Sequence, residues 1–126
     1  MSGFIHHISI TCTNLERSQN FYKLLGFKPY KEYEDNLCSI VLLKGENGCI
    51  ELFQFKESGS EIQGKTLKSI GLTHIAIRHT DLIEIKESLI NFGCRCKKVK
   101  NARLGGFSYF FTSDPDDNLI EIIEEH

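Results

Sequence analysis

The stretch HISITCTNLERSQNFYKLLGF, residues 7–27, decides the fold, because the chain repeats its pattern as HIAIRHTDLIEIKESLINFGC at residues 74–94. A constant offset of 67 residues places His74 on His7, and the apolar positions and the closing glycines of the two stretches coincide as well. A repeat of this kind is typical of a fold that is built from two copies of one supersecondary unit.

A second pair of matching stretches lies downstream of the first. CIELFQF at residues 49–55 matches LIEIIEE at residues 119–125 with an offset of 70 residues, so that Glu121 falls on Glu51. Each half of the chain therefore carries a histidine at the start of the repeat and a glutamate far downstream of it.

Each half also shows the same order of predicted elements: strand, helix and three strands. Period-two apolar patterns predict the strands, and a capping residue, an apolar stripe and a closing glycine predict each helix. In the first half the predicted elements are strand 4–12, a helix from Asn14 to about Leu25, and strands 27–33, 38–43 and 48–55. In the second half they are strand 73–79, helix 81–92 closed by Gly93, and strands 94–99, 107–112 and 118–124.

The sequence thus predicts an α+β fold of two tandem βαβββ modules within a single domain, residues 1–126. Module one covers about 4–56, a polar, glycine-containing linker covers about 57–70, and module two covers about 71–125. A four-stranded sheet with one helix leaves its other face uncovered. We therefore expect the strands of the two modules to form a cup-shaped, partly closed barrel with flanking helices.

Composition excludes several classes of function. Fifteen basic residues against 17 acidic ones give no basic excess, so nucleic acid is not an expected partner. The sequence has no apolar stretch long enough to cross a bilayer and no signal-like N-terminus, so we expect no membrane association and a cytoplasmic location. The five cysteines are scattered without CxxC spacing, which favours free thiols over disulfides or a zinc knuckle.

Strand alternation assigns faces to the histidines and glutamates. Ile8 and Ile10 are predicted to pack under the helix, which leaves His7 on the opposite face beside small polar residues. His74 takes the same place in the second module. Each glutamate lies between two large apolar residues, where a carboxylate is costly unless it is paired or binds a metal.

A single strand glutamate is equally consistent with a solvent-facing position, and a single strand histidine is more often structural. Repetition of both in both modules favours a site instead. The four side chains provide two nitrogen and two oxygen ligands for one divalent ion; they are His7, Glu51, His74 and Glu121. His6 is predicted to pack or reach solvent on the helix side, and His79 and His126 are predicted to be surface residues.

With these motifs the chain resembles the vicinal oxygen chelate superfamily, which includes glyoxalase I, extradiol dioxygenases, methylmalonyl-CoA epimerase and the fosfomycin and bleomycin resistance proteins. The resemblance covers nearly the whole chain and rests on HHISI with NLERSQNFYKLLGF, on GCIELFQF, on GLTHIAI and on FFTSDPDDNLIEI. It implies paired modules, a cup-shaped site and a homodimer. The site of such proteins lies within one chain or is shared across the dimer interface, and both alternatives stay open.

The ligand order His, Glu, His, Glu resembles glyoxalase I more than the dioxygenases, which use two histidines and one glutamate. The resemblance therefore implies a lyase or isomerase that chelates two neighbouring oxygens of a small substrate. The cofactor is one divalent ion per site, Ni, Zn, Co, Mn or Fe, and an enediolate is stabilised after proton abstraction. By analogy, Glu121 is the catalytic base, whereas Glu51 is mainly a ligand.

Some positions depart from the glyoxalase I pattern. ELFQF stands where that enzyme has ELT followed by an asparagine, which puts glutathione recognition in doubt and makes Phe53 part of an apolar wall. DPDDN places Asp117 where glycine often adopts a left-handed conformation. Tyr109 belongs to an aromatic row that lines either the cup or the core. Arg78, on the His74 face, either meets an anionic substrate group or is a surface charge.

Three other functions remain as alternatives: a resistance protein that binds a drug without metal, a fosfomycin-modifying enzyme, and an extradiol dioxygenase-like enzyme. The last two use two histidines and one glutamate, so Glu51 counts against them. A protein that only binds a drug has no need of two buried carboxylates. The loops that select a substrate carry no transferable motif, so the substrate stays open.

Overall fold

A computed structural model describes residues 1–57, 59 and 66–126 of the chain. It divides the chain into two compact units, Met1–Ser60 and Glu61–His126. The described residues contain two helices and eight strands in two four-stranded sheets, which confirms the predicted α+β class and the βαβββ order of both modules. About half of the predicted linker, residues 58 and 60–65, lies outside the described residues.

The first unit has the strand order β1-β4-β3-β2. Strands β1 and β4 are parallel, and the other two pairs are antiparallel. The elements of this unit are β1 (His7–Thr11), α1 (Leu15–Leu24), β2 (Lys28–Glu34), β3 (Cys38–Lys44) and β4 (Cys49–Phe55). All five lie within a few residues of the predicted bounds.

The second unit repeats this topology with the order β5-β8-β7-β6. Its elements are β5 (Ile75–Arg78), α2 (Leu82–Phe92), β6 (Lys100–Asn101), β7 (Phe107–Ser113) and β8 (Leu119–Glu125). The parallel pair is β5 with β8, and the antiparallel pairs are β6 with β7 and β7 with β8.

The predicted strand 94–99 is wrong, because regular pairing in this part of the chain is confined to the two residues of β6. The preceding segment does run beside β7. The N–H of Lys97 donates to the Phe111 carbonyl at 2.8 Å, but the Arg95 carbonyl accepts from the Thr112 side-chain hydroxyl at 2.9 Å. A side-chain partner thus replaces a backbone partner and no ladder forms.

The sheets are not closed into barrels, since each is an open four-stranded sheet with two edge strands. In each unit one face of the sheet carries the buried core residues. The fully buried side chains include Phe21, Tyr22, Leu43, Ile50 and Leu52 in the first unit and Leu89, Phe110, Ile120 and Ile122 in the second. No helix in the described part of the chain combines the length and hydropathy that a membrane crossing requires.

Each helix begins with the same pair of polar contacts. Asn14 accepts from the backbone N–H of Arg17, and its counterpart Asp81 accepts from two N–H groups of α2, which satisfies donors that have no partner within a helix. A side chain of the last strand of each unit provides the second kind of contact. Gln54 accepts from the N–H of Leu15 at 2.7 Å, and Glu124 accepts from that of Leu82 at 3.1 Å.

The turn between β2 and β3 is organised by Asp35. Hydrogen bonds from the backbone N–H groups of Leu37 and Cys38, with one from the Tyr33 hydroxyl, hold the pKa of this carboxyl below its ordinary value. The same contact with Asp35 raises the pKa of Tyr33. Burial, together with the charge of Asp35, raises the pKa of the Cys38 thiol. These groups lie at the far end of the sheet from β1, because β2 is the opposite edge strand.

Candidate functional site

In the first unit a histidine and a glutamate meet on the face of the sheet that is opposite the core. His7 begins β1, and Glu51 lies in the middle of the adjacent parallel strand β4. The Nε2 atom of His7 lies 3.2 Å from Oε1 of Glu51, and their side chains are 35% and 24% exposed. The pair is therefore partly desolvated yet open to a ligand.

The second unit builds an equivalent pair from β8 and the residue that precedes β5. His74 Nε2 lies 3.2 Å from Glu121 Oε1, the same separation as in the first unit. This pair is more enclosed, with side chains 26% and 14% exposed. The repeat seen in the sequence thus produces the same side-chain geometry twice.

The local sequence explains why both carboxylates avoid the core. In β8, Ile120 and Ile122 have no exposed surface, so the residue between them must project from the other face of the strand. In β4, Ile50 and Leu52 are 2% and 0% exposed and impose the same direction on Glu51. Burial of the flanking aliphatic residues therefore fixes the direction of each glutamate.

The separation within each pair suits a shared metal ion. Two ligands at about 2.1 Å from one ion lie about 3.0 Å apart in octahedral geometry and about 3.4 Å apart in tetrahedral geometry. The observed 3.2 Å in both pairs falls between these values. Within either unit, no third His, Cys, Asp or Glu among the described residues joins the pair to form a metal-binding group. Each unit alone thus supplies two of the four predicted ligands.

Polar neighbours that the sequence reasoning missed support three of these four side chains. The Ser9 hydroxyl donates to Glu51 Oε1 at 3.1 Å. The Nδ1 atoms of His6 and His7 lie 2.8 Å apart, and the Thr73 hydroxyl lies 2.8 Å from Nδ1 of His74. His6 is exposed, which agrees with one of its two predicted alternatives, and its ring meets that of His7 edge to face.

The 67-residue offset between the two repeats identifies these neighbours in the sequence. It places His6 on Thr73, so that the residue before each histidine contacts its Nδ1 atom. It also places Ser9 on Ala76, which is the strand neighbour of Glu121 in the way that Ser9 is the neighbour of Glu51. The two glutamates therefore differ, because Ala76 offers Glu121 no hydroxyl.

Aromatic side chains lie beside both pairs. In the second unit, the rings of Phe111 and His74 meet edge to face with centroids 5.3 Å apart, and Tyr109 contacts Phe111 at 5.6 Å. In the first unit, Phe53 and Phe55 stack in parallel at 5.5 Å. The predicted substrate residues Phe53 and Tyr109 thus belong to apolar surfaces that adjoin the histidine–glutamate pairs.

Arg78 is the last residue of β5 and lies opposite Ile123 of β8. Its guanidinium is 3.5 Å from the Glu125 carboxylate, and both side chains are more than half exposed. His79 follows directly and accepts a hydrogen bond at Nδ1 from the N–H of Asp81. His126 contacts the Ser108 hydroxyl at 2.7 Å. Neither histidine joins His74 and Glu121.

The DPDDN segment forms a tight turn that leads into β8. Asp117 has φ of 63°, the left-handed conformation that glycine adopts more easily. The buried carboxylate of Asp114 accepts from the N–H groups of Asp116 and Asn118 and from the Asn118 side-chain amide. This turn sets the start of the strand that carries Glu121.

A groove of about 290 Å³ also lies in the first unit, between α1 and strands β2 and β3. Its walls include Leu15, Gln19, Tyr33 and Ile40, and neither His7 nor Glu51 contributes to it. Its charged lining consists of the exposed residues Glu32 and Glu34. The groove is thus separate from the histidine–glutamate pair.

Comparison with protein families yields one match that spans nearly the whole chain. The family model of the Glyoxalase/Bleomycin resistance protein/Dioxygenase superfamily matches residues 4–122. Among curated proteins, the Uncharacterized protein YwkD of Bacillus subtilis (strain 168) is 33% identical over 125 residues, which is 96% of each chain.

Solved structures share the fold. The glyoxalase family protein from Enterococcus faecalis has a TM-score of 0.78 at 24% identity, with 96% of this chain and 97% of that chain covered. The fosfomycin resistance protein FosX from Listeria monocytogenes, in complex with Mn(II) and sulfate, has a TM-score of 0.76 at 17% identity, with 100% and 94% covered.

Proposed function

This chain belongs to the Glyoxalase/Bleomycin resistance protein/Dioxygenase superfamily, and from this we propose that it is a metal-dependent lyase or isomerase of the glyoxalase I type. The observation that carries the proposal is the pair of equivalent histidine–glutamate contacts, each with 3.2 Å between Nε2 and Oε1. The proposed substrate is a small molecule with two neighbouring oxygens.

We propose that His7, Glu51, His74 and Glu121 together bind one divalent ion. Imidazole and carboxylate ligands suit Ni, Zn, Co, Mn or Fe. When bound, such an ion acts as a Lewis acid that polarises the two substrate oxygens and makes the neighbouring C–H bond acidic. The four ligands belong to one chain or to two chains of a homodimer, and the proposal holds in either arrangement.

The two glutamates have different proposed roles. Glu51 is held by the Ser9 hydroxyl, which fixes its orientation and stabilises the carboxylate, as suits a permanent ligand. Ala76 gives Glu121 no such bond, so this carboxylate can turn to take the substrate proton and return it to the neighbouring carbon. The catalytic base is therefore Glu121.

The aromatic surfaces favour a substrate with an apolar part. Phe53 and Tyr109 belong to stacked or edge-to-face aromatic contacts beside the pairs, which offer a flat, apolar wall. Arg78 is the proposed partner for an anionic group at the rim, where its ion pair with Glu125 is exposed and easily exchanged. These features favour a compact aromatic or aliphatic α-hydroxycarbonyl compound over a long, polar thiol conjugate.

A second candidate is a fosfomycin-type resistance protein, because FosX structures share the fold. Glu51 distinguishes the two proposals. Glu51 lies as close to His7 as Glu121 lies to His74. The chain therefore offers four metal ligands, whereas the fosfomycin resistance enzymes use three.

We also propose that the protein is a homodimer and that it is located in the cytoplasm.

The test begins with elemental analysis of protein that is purified without added metal. The protein is then titrated with Ni, Co, Mn and Zn while a panel of hemithioacetals, dicarbonyl compounds and fosfomycin is assayed. Isomerase activity that depends on one ion per site supports the glyoxalase-type function. Activity on fosfomycin alone would replace it with the second candidate, and a protein that binds no metal would refute both.

Two amide substitutions then separate the glutamates. Glu121→Gln is expected to abolish turnover, because an amide cannot accept the proton. Glu51→Gln is expected to weaken metal binding and to leave measurable turnover at saturating metal. The opposite result would exchange the two roles. His79→Ala is the matched control, because this histidine lies outside both pairs.

A further inference from the structure

The residue that precedes each site histidine contacts the ring nitrogen that faces away from the glutamate. In the first unit this residue is His6, whose Nδ1 lies 2.8 Å from Nδ1 of His7, with the two rings edge to face at 82°. In the second unit it is Thr73, whose hydroxyl lies 2.8 Å from Nδ1 of His74. The two modules thus place different side chains at the same position, in contact with Nδ1 of the site histidine.

A contact at Nδ1 decides what Nε2 can do. A neutral imidazole carries its proton on one nitrogen, and a histidine that binds a metal through Nε2 must carry it on Nδ1. An acceptor at Nδ1 favours that tautomer and also fixes the plane of the ring. Both the imidazole of His6 and the hydroxyl of Thr73 can accept a hydrogen bond from such an N–H.

We propose that His6 and Thr73 are positioning residues that accept the Nδ1–H of His7 and His74 and so leave both Nε2 lone pairs free for the proposed metal ion that the glutamates would share. This inference rests on the proposed function, since it concerns the predicted metal ligands. It requires His6 to carry its own proton on Nε2. That atom meets no steric obstacle to hydration, because His6 is exposed.

The repeat supplies an internal control for the first unit. If His6 acts only through its acceptor, a threonine at the same position should reproduce the arrangement found at Thr73. His6→Thr is therefore the rescue variant, and His6→Leu removes the acceptor and leaves an apolar side chain in its place. In the second unit, Thr73→Ser keeps the hydroxyl and Thr73→Val removes it at nearly constant volume.

Zinc affinity is measured by competition with a chromophoric chelator for the wild type and the four variants. Loss of an outer hydrogen bond to a metal-binding histidine typically weakens the metal site about 10- to 100-fold. We expect that loss for His6→Leu and Thr73→Val, and affinities within about threefold of the wild type for His6→Thr and Thr73→Ser. Melting of the metal-free variants controls for folding.

Nitrogen-15 NMR of the zinc-loaded protein gives a readout that does not depend on activity. The proposal expects a protonated Nδ1 with a slowly exchanging proton on His7 and His74, and faster exchange of that proton in His6→Leu and Thr73→Val. Unchanged zinc affinity in His6→Leu and Thr73→Val, or equal losses in His6→Thr and His6→Leu, would overturn this inference and leave the proposed function standing. A wild type that binds no zinc or other divalent ion would overturn both.

Discussion

Asp114 allows a sharp test of how the DPDDN turn holds the strand that carries Glu121. Asp114 is 4% exposed. It accepts from the N–H groups of Asp116 and Asn118 at 2.9 Å and from the Asn118 side-chain amide at 2.8 Å. In Asp114→Asn, one oxygen can still accept from the two backbone groups. The new NH₂ group would instead face the NH₂ group of Asn118, so two donors would meet.

The size of the effect follows from that lost bond. A hydrogen bond to a charged group contributes about 1.5–3 kcal/mol, so Asp114→Asn should lower the free energy of unfolding by about 2 kcal/mol. For a chain of this size, that loss corresponds to a decrease in Tm of roughly 6–10 °C. Urea and thermal unfolding of the metal-free protein measure it. Glu87→Gln, at an exposed carboxylate of α2, is the control and should change stability by less than about 0.5 kcal/mol.

The reciprocal exchange identifies the interaction. Asn118→Asp alone would place two carboxylates in contact and should also destabilise the protein. In the double variant Asp114→Asn/Asn118→Asp, the amide at 114 can donate to the carboxylate at 118, which restores the pair in reverse. If the two single substitutions acted independently, their losses in the free energy of unfolding would add. We expect the double variant to be at least about 1 kcal/mol more stable than that sum predicts. Additive losses, or a stable Asp114→Asn variant, would refute this description of the turn.

Three further predictions concern single positions. Ala76→Ser gives Glu121 the hydroxyl that Glu51 has, and it should lower turnover about tenfold, because a hydrogen bond of about 1.5–3 kcal/mol to the carboxylate weakens when the carboxylate takes a proton. Ser9→Ala should change turnover less than threefold, which corresponds to about 0.6 kcal/mol. Equal effects of the two substitutions on turnover would contradict the roles assigned to the two glutamates. Asp117→Val should destabilise the protein by about 1–2 kcal/mol, because φ is 63° there, and Asp117→Gly should not; chemical denaturation compares them. Because the pKa of Asp35 is lowered in the folded protein, its contribution to stability is present above its ordinary pKa of 3.8 and is lost as the pH falls through the lower folded value. The stability of Asp35→Asn should therefore depend less on pH below about 4 than that of the wild type. Parallel profiles of stability against pH for the wild type and the variant would contradict this.

The sequence predicted most of the fold because the signals were local and occurred twice. Capping residues and closing glycines fixed the helices to within a residue or two, and Gly93 adopts the left-handed conformation expected after α2. Burial of the flanking aliphatic residues gave the direction of both glutamates. Asp117 has the left-handed conformation that the resemblance implies for the glycine that often occupies this position.

Other features depend on contacts that local patterns do not encode. The strand predicted at 94–99 failed because the Thr112 hydroxyl, 17 residues from Arg95 in sequence, takes the carbonyl that a ladder needs. The contact between His6 and His7 depends on a side-chain rotation that strand alternation does not predict. The ion pair of Arg78 with Glu125 depends on the register of β5 with β8. The four-ligand set itself stays a prediction.

Metal affinity of the four ligand variants decides that prediction. Isothermal titration with Ni and Zn is carried out on the wild type, on His7→Ala, Glu51→Gln, His74→Ala and Glu121→Gln, and on the control His79→Ala. The proposal predicts one ion per set of four ligands, a large loss of affinity in each of the four variants, and wild-type affinity in the control. Wild-type affinity in the variants of either histidine–glutamate pair would contradict a site built from both.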